Sequence, residues 1–245
     1  ARSVTPKGRR GDGRPRGFEI EGGIDVAVEH GAKGINRSFS SAKVSAEMTH
    51  AIDYATAHGV ICLASVGNAG RSALVFPAGY RNVMAIGSTS QSDLRSSFTN
   101  YGDHLVQFSA PGEALITLYP GGRYAAVSGT SFSTAVASGA AGLLAQLEPT
   151  MNQRLAGRYF DDGAVKLTDQ LGNGRLNLYE SLRTHAPVNV VPPDTTAPTV
   201  TLTNPLPGTA GTADIDVAHT ALANGSPRAE QLSRRGCRPA ARPPA

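Results

Sequence analysis

The sequence predicts an α/β fold in which helices cover both faces of a parallel β-sheet. Three observations support this prediction. Helix-like and strand-like segments alternate from residue 18 onward, the strand-like runs are almost continuously apolar, and glycines stand at the junctions between them. Strands that are apolar on both faces are typical of parallel sheets that lie between two helical layers.

The first two helix–strand units lie within residues 18–66. In FEIEGGIDVAVEHGAKGINRSFS, apolar side chains recur near one helical face, His30 precedes a glycine, and a short apolar run follows. The segment SAKVSAEMTHAIDYATAHGVICLASVGNAG repeats this scheme with His58 and a buried strand over residues 60–66. A histidine in the last turn of a helix interacts favourably with the helix dipole, so we predict structural roles for both histidines.

The later elements are also short and apolar. Strands are predicted at residues 82–88 and 104–112, and ALITLYPGGRYAAVSG is typical of a hairpin with Pro-Gly-Gly at its turn. The helix from Ser131 onward consists almost entirely of small and apolar residues, so we predict that it is buried on all sides. A turn and a closing helix are predicted at residues 172–182.

Net positive charge is confined to the two ends of the chain. Residues 1–20 and residues 221–245 each have a net charge of +4, so residues 21–220 have a net charge of −4. Both ends mix Arg, Gly, Pro and Ala without hydrophobic periodicity, which predicts disorder, and neither contains interleaved aromatic residues. We therefore expect no nucleic-acid binding. An alternative interpretation is that both ends are coding sequence translated out of frame.

Composition divides the chain into five segments. We predict a disordered basic segment, an α/β domain, a Pro/Thr-rich linker, the beginning of a β domain with period-two alternation, and a disordered basic tail. Two strands are too few for the β segment to fold alone. The predicted boundaries are 1–17, 18–186, 187–198, 199–220 and 221–245.

The cysteines and the hydropathy exclude several classes of protein. Cys62 lies in an apolar run, where a buried and inert thiol is expected, and Cys237 lies in the basic tail. These two residues predict neither a disulfide nor a metal site. No apolar run is long enough to span a bilayer. We interpret the Asp161-Asp162 pair as a solvated turn rather than as metal ligands.

The segment GRYAAVSGTSFSTAVASGAAGLL places Ser131 between a predicted strand and a predicted helix. The first N–H groups of a helix have no partner within it, and they point outward together with the positive end of the dipole. Gly129 would let a substrate carbonyl come close. This arrangement suits nucleophilic acyl transfer, although a serine at this place is also a common helix cap.

Six segments in order resemble the subtilisin-like serine peptidases, the subtilases. GTSFSTAVASGAAGLL resembles the family's nucleophile motif, GAKGINRSFS its strand along the substrate cleft, and GVICLASVGNAG its strand that ends in Gly-Asn. PAGYRNVMAIGS, SSFTNYGDHLVQFSAPG and GNGRLNLYESL are similar to three further segments. The resemblance covers residues 18–183 and implies a subtilisin-like, N-terminally incomplete fold and serine endopeptidase activity.

The resemblance assigns roles to particular residues. It implies that Ser131 is the nucleophile and that the side chain of Asn68 and the N–H of Ser131 bind the oxyanion. The hydroxyl of Thr130 could assist. It further implies that Ser38, Phe39 and Ser40 form one rim of the substrate cleft. Ala64, Ser65 and Val66 would form a wall of the specificity pocket.

Some positions depart from the family's pattern. Ala135 stands where the family usually has proline, Val136 where many members have histidine, and Ser40 where glycine is frequent. More importantly, the family's order is Asp, His, Ser, and the sequence contains neither the Asp segment nor the His segment. We therefore expect this chain to be a nearly inactive fragment of a peptidase. The alternative is a non-catalytic relative that binds peptides.

The resemblance also implies the setting of the complete protein. It implies polypeptide substrates, a secreted monomer of bacterial type and no cofactor for catalysis. Members of the family often bind calcium, but no acidic loop in this sequence identifies ligands. DTTAPTVTLTNPLPGTAGTADIDVA resembles the beginning of the immunoglobulin-like modules that follow secreted bacterial enzymes.

Overall fold

The structure is a computed structural model of the 245-residue chain. It forms two units, residues 1–190 and 191–245. The structure describes residues 17–167 and 170–185, together with the backbone of the short strands at 200–202, 219–223 and 226–228. Three predicted segments therefore lie outside the described residues: the basic segment 1–17 except Gly17, the linker, and most of the basic tail.

Four parallel strands form the central sheet of the first unit. Their order in the sheet follows the chain, β1-β2-β3-β4, and β2 and β3 are buried along their whole length. The predicted parallel sheet is therefore confirmed. The strands are β1 (Gly34–Arg37), β2 (Ile61–Ser65), β3 (Met84–Thr89) and β4 (Phe108–Pro111).

Helices cover both faces of this sheet, as predicted. On one face, Ile24 of α1 and Ile52 of α2 are buried in a cluster with Cys62 of β2. On the other face, Leu144 of α3 and Phe160 of α4 are buried against the sheet. The helices are α1 (Gly17–Glu29), α2 (Ala46–Ala57), α3 (Thr130–Leu147), α4 (Gln153–Gly163) and α5 (Leu178–His185).

The ends of α1 and α2 confirm the structural roles predicted for two histidines. The Nδ1 atom of His30 lies 2.8 Å from the carbonyl oxygen of Val26, and the Nδ1 atom of His58 lies 2.8 Å from that of Tyr54. Each imidazole thus satisfies a carbonyl in the last turn of its helix.

The predicted hairpin is confirmed as β5 (Leu115–Tyr119) and β6 (Arg123–Val127), which pair antiparallel. Leu118 lies opposite Tyr124, so the two side chains share one face. Both are exposed, as is Ile116. The hairpin therefore presents an apolar face that no other described element covers.

Helix α4 was not predicted from the sequence. Asn152 caps it, because its side chain accepts a hydrogen bond from the backbone N–H of Leu155 at 3.0 Å. The interpretation of Asp161 and Asp162 as a solvated turn was wrong, because both lie in the last turn of α4. Asp161 forms an ion pair with Lys166 at 3.1 Å, and Asp162 lies 2.8 Å from the Nε2 of His185.

The side chain of Gln153 extends the hydrogen bonding of the sheet at the beginning of β2. Its Oε1 accepts from the backbone N–H of Cys62 at 2.7 Å, and its Nε2 donates to the carbonyl of Cys62 at 3.3 Å. The amide thus takes the place of a neighbouring strand where β3 has not yet begun. The Cys62 side chain is buried, as predicted.

The second unit contains three antiparallel strands, β7 (Val200–Leu202), β8 (His219–Ala223) and β9 (Ser226–Arg228). Strand β7 lies within the predicted β segment 199–220, whereas β8 extends across its end and β9 lies within 221–245, where we predicted disorder. In the described part of both units, no helix is long and apolar enough to cross a membrane.

The prediction that α3 is buried on all sides was wrong. The helix packs on β1 to β4 with one face only. On its other face Val136 is 45% exposed, Leu143 49% and Leu147 62%. A composition of small apolar residues predicts burial, but burial also requires a second layer, and no described element supplies one.

The two faces of α3 can be separated by one pair of substitutions. Leu144 is 1% exposed, so Leu144→Ala should lower the free energy of unfolding by about 2–5 kcal/mol. Leu143→Ala should change it by less than about 0.5 kcal/mol. Urea denaturation of the full chain measures both. Losses of equal size would contradict the open face of α3.

Candidate active site

Three of the predicted site residues meet at the carboxyl end of the parallel sheet. Ser38 follows β1, Asn68 follows β2, and Ser131 lies in the first turn of α3. Ligand sites of open α/β sheets form at this edge, where the strand ends and the helix beginnings converge.

Asn68 is fixed by the beginning of α3. Its Oδ1 accepts hydrogen bonds from the backbone N–H and from the hydroxyl of Thr130, both at 2.9 Å. The helix has no other side-chain cap at this end. Because the oxygen of the amide is engaged twice, the amide nitrogen of Asn68 is the end that remains for another acceptor.

Gly129 provides the space beside that nitrogen. Its backbone has φ 151°, and a Cβ added there would lie 3.4 Å from the Nδ2 of Asn68. The next residues begin α3, so the N–H of Ser131 belongs to the first turn, where helical N–H groups have no partner within the helix. The Nδ2 of Asn68 and the first turn of α3, which includes Ser131, therefore both adjoin Gly129.

The hydroxyl of Ser131 has a carbonyl as its partner. Its Oγ donates to the carbonyl of Ser38 at 3.3 Å, and the Oγ of Ser38 donates to the carbonyl of Ser131 at 3.0 Å. Within residues 17–167 and 170–185, no histidine or carboxylate forms a hydrogen bond with the Ser131 hydroxyl. The base that activates a serine nucleophile is thus not among the described contacts.

Thr130 has a different position from the one expected of a group that contacts substrate. It is fully buried, and its hydroxyl donates to Asn68. In this structure Thr130 therefore orients the Asn68 amide.

The predicted rim and wall differ in their exposure. Ser38 and Ser40 are exposed and Phe39 is half-buried, which leaves this rim accessible. Ala64 and Val66 are fully buried in the core beneath α1 and α2, so only their backbone can face a ligand. Ser65 is also buried.

Asn100 holds the loop that carries Asn68. This role could not be predicted from the sequence, where Asn100 is only a polar residue in a segment that resembles the family. Its Nδ2 donates to the carbonyl of Val66 at 2.8 Å, and its Oδ1 accepts from the N–H of Ala69 at 3.1 Å. Gly67 lies against this amide with φ 91°, and an added Cβ would come within 2.9 Å of it. Asn100 is a positioning residue for Asn68.

Arg37 lies directly below the rim, between Asn36 and Ser38. It is 3% exposed, and within the described residues its Nε and Nη2 have no hydrogen-bond partner. Burial lowers the pKa of the Arg37 guanidinium, and burial raises the pKa of the neighbouring Cys62 thiol. Both directions follow from the cost of removing a charge from water.

No metal centre is formed by the described residues. Among residues 17–167 and 170–185, no group of three His, Cys, Asp or Glu side chains could hold a metal ion.

The geometry defines a class of site. A serine in the first turn of a helix, a fixed amide donor beside it and a glycine between them fit the nucleophile and oxyanion site of an acyl-transfer enzyme.

Comparison with known proteins identifies the family. The subtilase family model matches residues 3–170, so the chain belongs to the subtilase family. Subtilisin BL of Lederbergia lenta is 36% identical over 174 residues, which are 70% of this chain and 64% of that protein. Thermitase of Thermoactinomyces vulgaris is 36% identical over 165 residues, 67% of this chain and 59% of that protein. The chain thus spans about three fifths of the length of these relatives.

Solved structures agree with this fold. The prenylagaramide maturation protease PagA superposes with a TM-score of 0.64 at 26% identity, over 69% of this chain and 68% of that one. The self-cleaved protease domain of PatA gives a TM-score of 0.62 at 28% identity, over 68% of this chain and 67% of that one. The predicted subtilisin-like fold is therefore confirmed.

The capping role of Asn68 can be measured without any assay of activity. Asn68→Ala removes the acceptor for Thr130 and should lower the free energy of unfolding by about 1 kcal/mol. Asn68→Asp keeps an acceptor at the positive end of the helix and should leave the free energy of unfolding nearly unchanged. Urea denaturation distinguishes the two. An equal loss in both variants would contradict the cap.

Proposed function

We propose that this chain carries the nucleophile and the oxyanion-binding side chain of a serine endopeptidase. This proposal rests on the hydrogen bond from the Thr130 N–H to the Oδ1 of Asn68, because that bond leaves the amide nitrogen of Asn68 beside the start of α3. In the proposed reaction, Ser131 Oγ attacks the carbonyl carbon of a peptide bond and gives its proton to a base. The C–N bond then breaks, the amine leaves with that proton, and water hydrolyses the acyl-enzyme.

The oxyanion of the tetrahedral intermediate would accept hydrogen bonds from the Ser131 N–H and from Asn68 Nδ2. Both donors are held before substrate arrives, one by the helix and one by Thr130, so little reorganisation is needed during the reaction. This chemistry requires no cofactor.

The base is proposed to be a histidine supported by an aspartate, which precede the serine in the family's chain order. The open face of α3 and the apolar face of the hairpin both adjoin Ser131 in sequence, and their side chains are exposed. We propose that the polypeptide segment that contains the aspartate and the histidine covers these faces. The complete form is proposed to be a secreted monomer.

The substrate is proposed to be an extended polypeptide. Residues 38–40 follow β1, which is the first strand in the sheet order, and Ser38 and Ser40 are exposed. The rim is held at its far end, where Ser41 and Phe76 exchange backbone hydrogen bonds of 2.7 and 2.8 Å. A peptide can add to such a rim as a further strand.

A second candidate is a relative that binds peptides without cleaving them. The observation that favours it is the Ser131 hydroxyl, whose described partner is the carbonyl of Ser38 rather than a base. The two candidates share the rim and differ only in whether Ser131 reacts.

The first experiment is to sequence the DNA upstream of codons 1–20 and to read all three frames. We expect an Asp-Ser/Thr-Gly strand, a His-Gly-Thr helix and a secretory signal, as the endopeptidase proposal requires. The chain expressed with that segment should react with a fluorophosphonate at Ser131 and hydrolyse casein. In a subtilisin, loss of the triad lowers kcat roughly a million-fold, so the chain without the segment should be almost inactive.

Matched variants make this test specific. Ser131→Ala should abolish labelling, whereas Ser138→Ala, in the same helix, should leave it unchanged. Asn68→Asp should keep the fold but lower kcat by about 10²–10³-fold, the size known for such a donor in a subtilisin. A start codon with neither motif upstream, together with peptide binding by the chain, would establish the non-catalytic candidate instead.

We also infer that residue 199 onward begins an immunoglobulin-like accessory domain. The supporting observations are the period-two alternation of TVTLTNP and the antiparallel pairing of β7, β8 and β9. A crystal structure of the unit with its downstream sequence tests this. A single sheet without a second sheet packed on it would contradict the inference.

A further inference from the structure

A large groove lies at the edge of the sheet opposite Ser131. It runs between α2 and α4, across the beginnings of β3 and β4, and has a volume of about 1100 Å³. Ser38 and Asn68 follow the carboxyl ends of their strands, whereas this groove is at the amino ends. We call it the α2–α4 groove, and the residues that define it are Thr49, Asp53, Arg81, Gln107, Arg154 and Arg158.

Three arginines line the α2–α4 groove from two elements. Arg81 lies in the loop before β3, and Arg154 and Arg158 lie one turn apart on α4. All three side chains are exposed, and within the described part of the chain none of the three guanidinium groups forms a hydrogen bond or an ion pair. A guanidinium offers five donors in a planar fork that matches a carboxylate.

Two carboxylates also line the groove. The Oδ1 of Asp53 accepts from the Nδ2 of Asn82 at 2.8 Å, and Asp161 pairs with Lys166 at 3.1 Å. Because Lys166 offsets the charge of Asp161, the three arginines face only the charge of Asp53, and positive charge is in excess where a ligand would lie. Gly157, between the two arginines of α4, also lines the groove, and a Cβ added there would touch the Met84 side chain at 3.5 Å.

We propose that the α2–α4 groove binds an acidic segment of another polypeptide, at a site separate from Ser131. Separate carboxylates would pair with the three arginines, and the amide side chains of Gln107 and Asn173 would pair with the peptide backbone. A continuous polyanion such as nucleic acid fits less well, because Asp53 and Asp161 interrupt the positive surface. The volume exceeds that of most small-molecule pockets, which suits an extended segment. The proposal does not depend on cleavage at Ser131.

The test measures the binding of a fluorescein-labelled deca-glutamate peptide by fluorescence anisotropy. The protein is the full chain with Ser131→Ala, which prevents any cleavage of the probe. Binding should weaken when salt rises from about 0.02 M to about 0.3 M, and a deca-glutamine peptide should not bind. The triple variant Arg81→Ala/Arg154→Ala/Arg158→Ala should lose at least about tenfold in affinity.

The matched control removes the same charge from the basic tail, with Arg234→Ala/Arg235→Ala/Arg238→Ala. It should change the affinity by less than about twofold if the groove is the site. Asp53→Asn should strengthen binding, because it removes a negative charge from the groove. Thermal unfolding of each variant verifies the fold.

Three outcomes would overturn the proposal. The first is no binding of deca-glutamate by the parent chain, and the second is an equal or larger loss in the tail variant than in the groove variant. The third is tighter binding of polyphosphate than of deca-glutamate at equal charge, which would assign the groove to polyanions. None of these results bears on the fluorophosphonate labelling of the chain that retains Ser131, so a failure here is distinguishable from a failure of the proposed peptidase.

Discussion

The site depends on one pair of hydrogen bonds, from the N–H and the hydroxyl of Thr130 to the Oδ1 of Asn68. They join the end of β2 to the beginning of α3 and thereby decide which end of the amide faces Ser131, the proposed nucleophile. Asn100 holds the loop from the other side. Asn68, the proposed oxyanion donor, and the helix that carries Ser131 are therefore held together as one group, so we expect a change that weakens the start of the helix to affect both stability and the proposed chemistry.

This group is only part of what acyl transfer needs. Ser131 is held by the carbonyl of Ser38, and the described residues supply no base. The apolar faces of α3 and of the hairpin are open on the same part of the chain. In the described part of the chain, Ser131 lacks a base and these two apolar faces are uncovered, as expected if one polypeptide segment supplies both the base and the covering.

Much of the fold could be predicted from the sequence, because alternating helices and apolar strands leave few arrangements other than a covered parallel sheet. The motif around Ser131 likewise predicted which residues meet. Contacts between distant side chains could not be predicted, and these include the orientation of the Asn68 amide and the role of Asn100. The open face of α3 was missed because composition shows that a face is apolar and not whether anything lies on it. The burial of the Arg37 guanidinium, which has no carboxylate partner among the described residues, has no sequence signal at all.

The amide of Gln153 has a consequence for the order of folding. It completes the hydrogen bonds of Cys62 across 91 residues of chain. Closing so long a loop costs entropy before the contact forms, so we expect the first residues of β2 to acquire their last partners late, after α4 has docked. The same contact should also matter in the native state. A brief detachment of α4 should expose the Cys62 amide to hydrogen exchange, while the middle of β2 should stay protected by its two neighbouring strands.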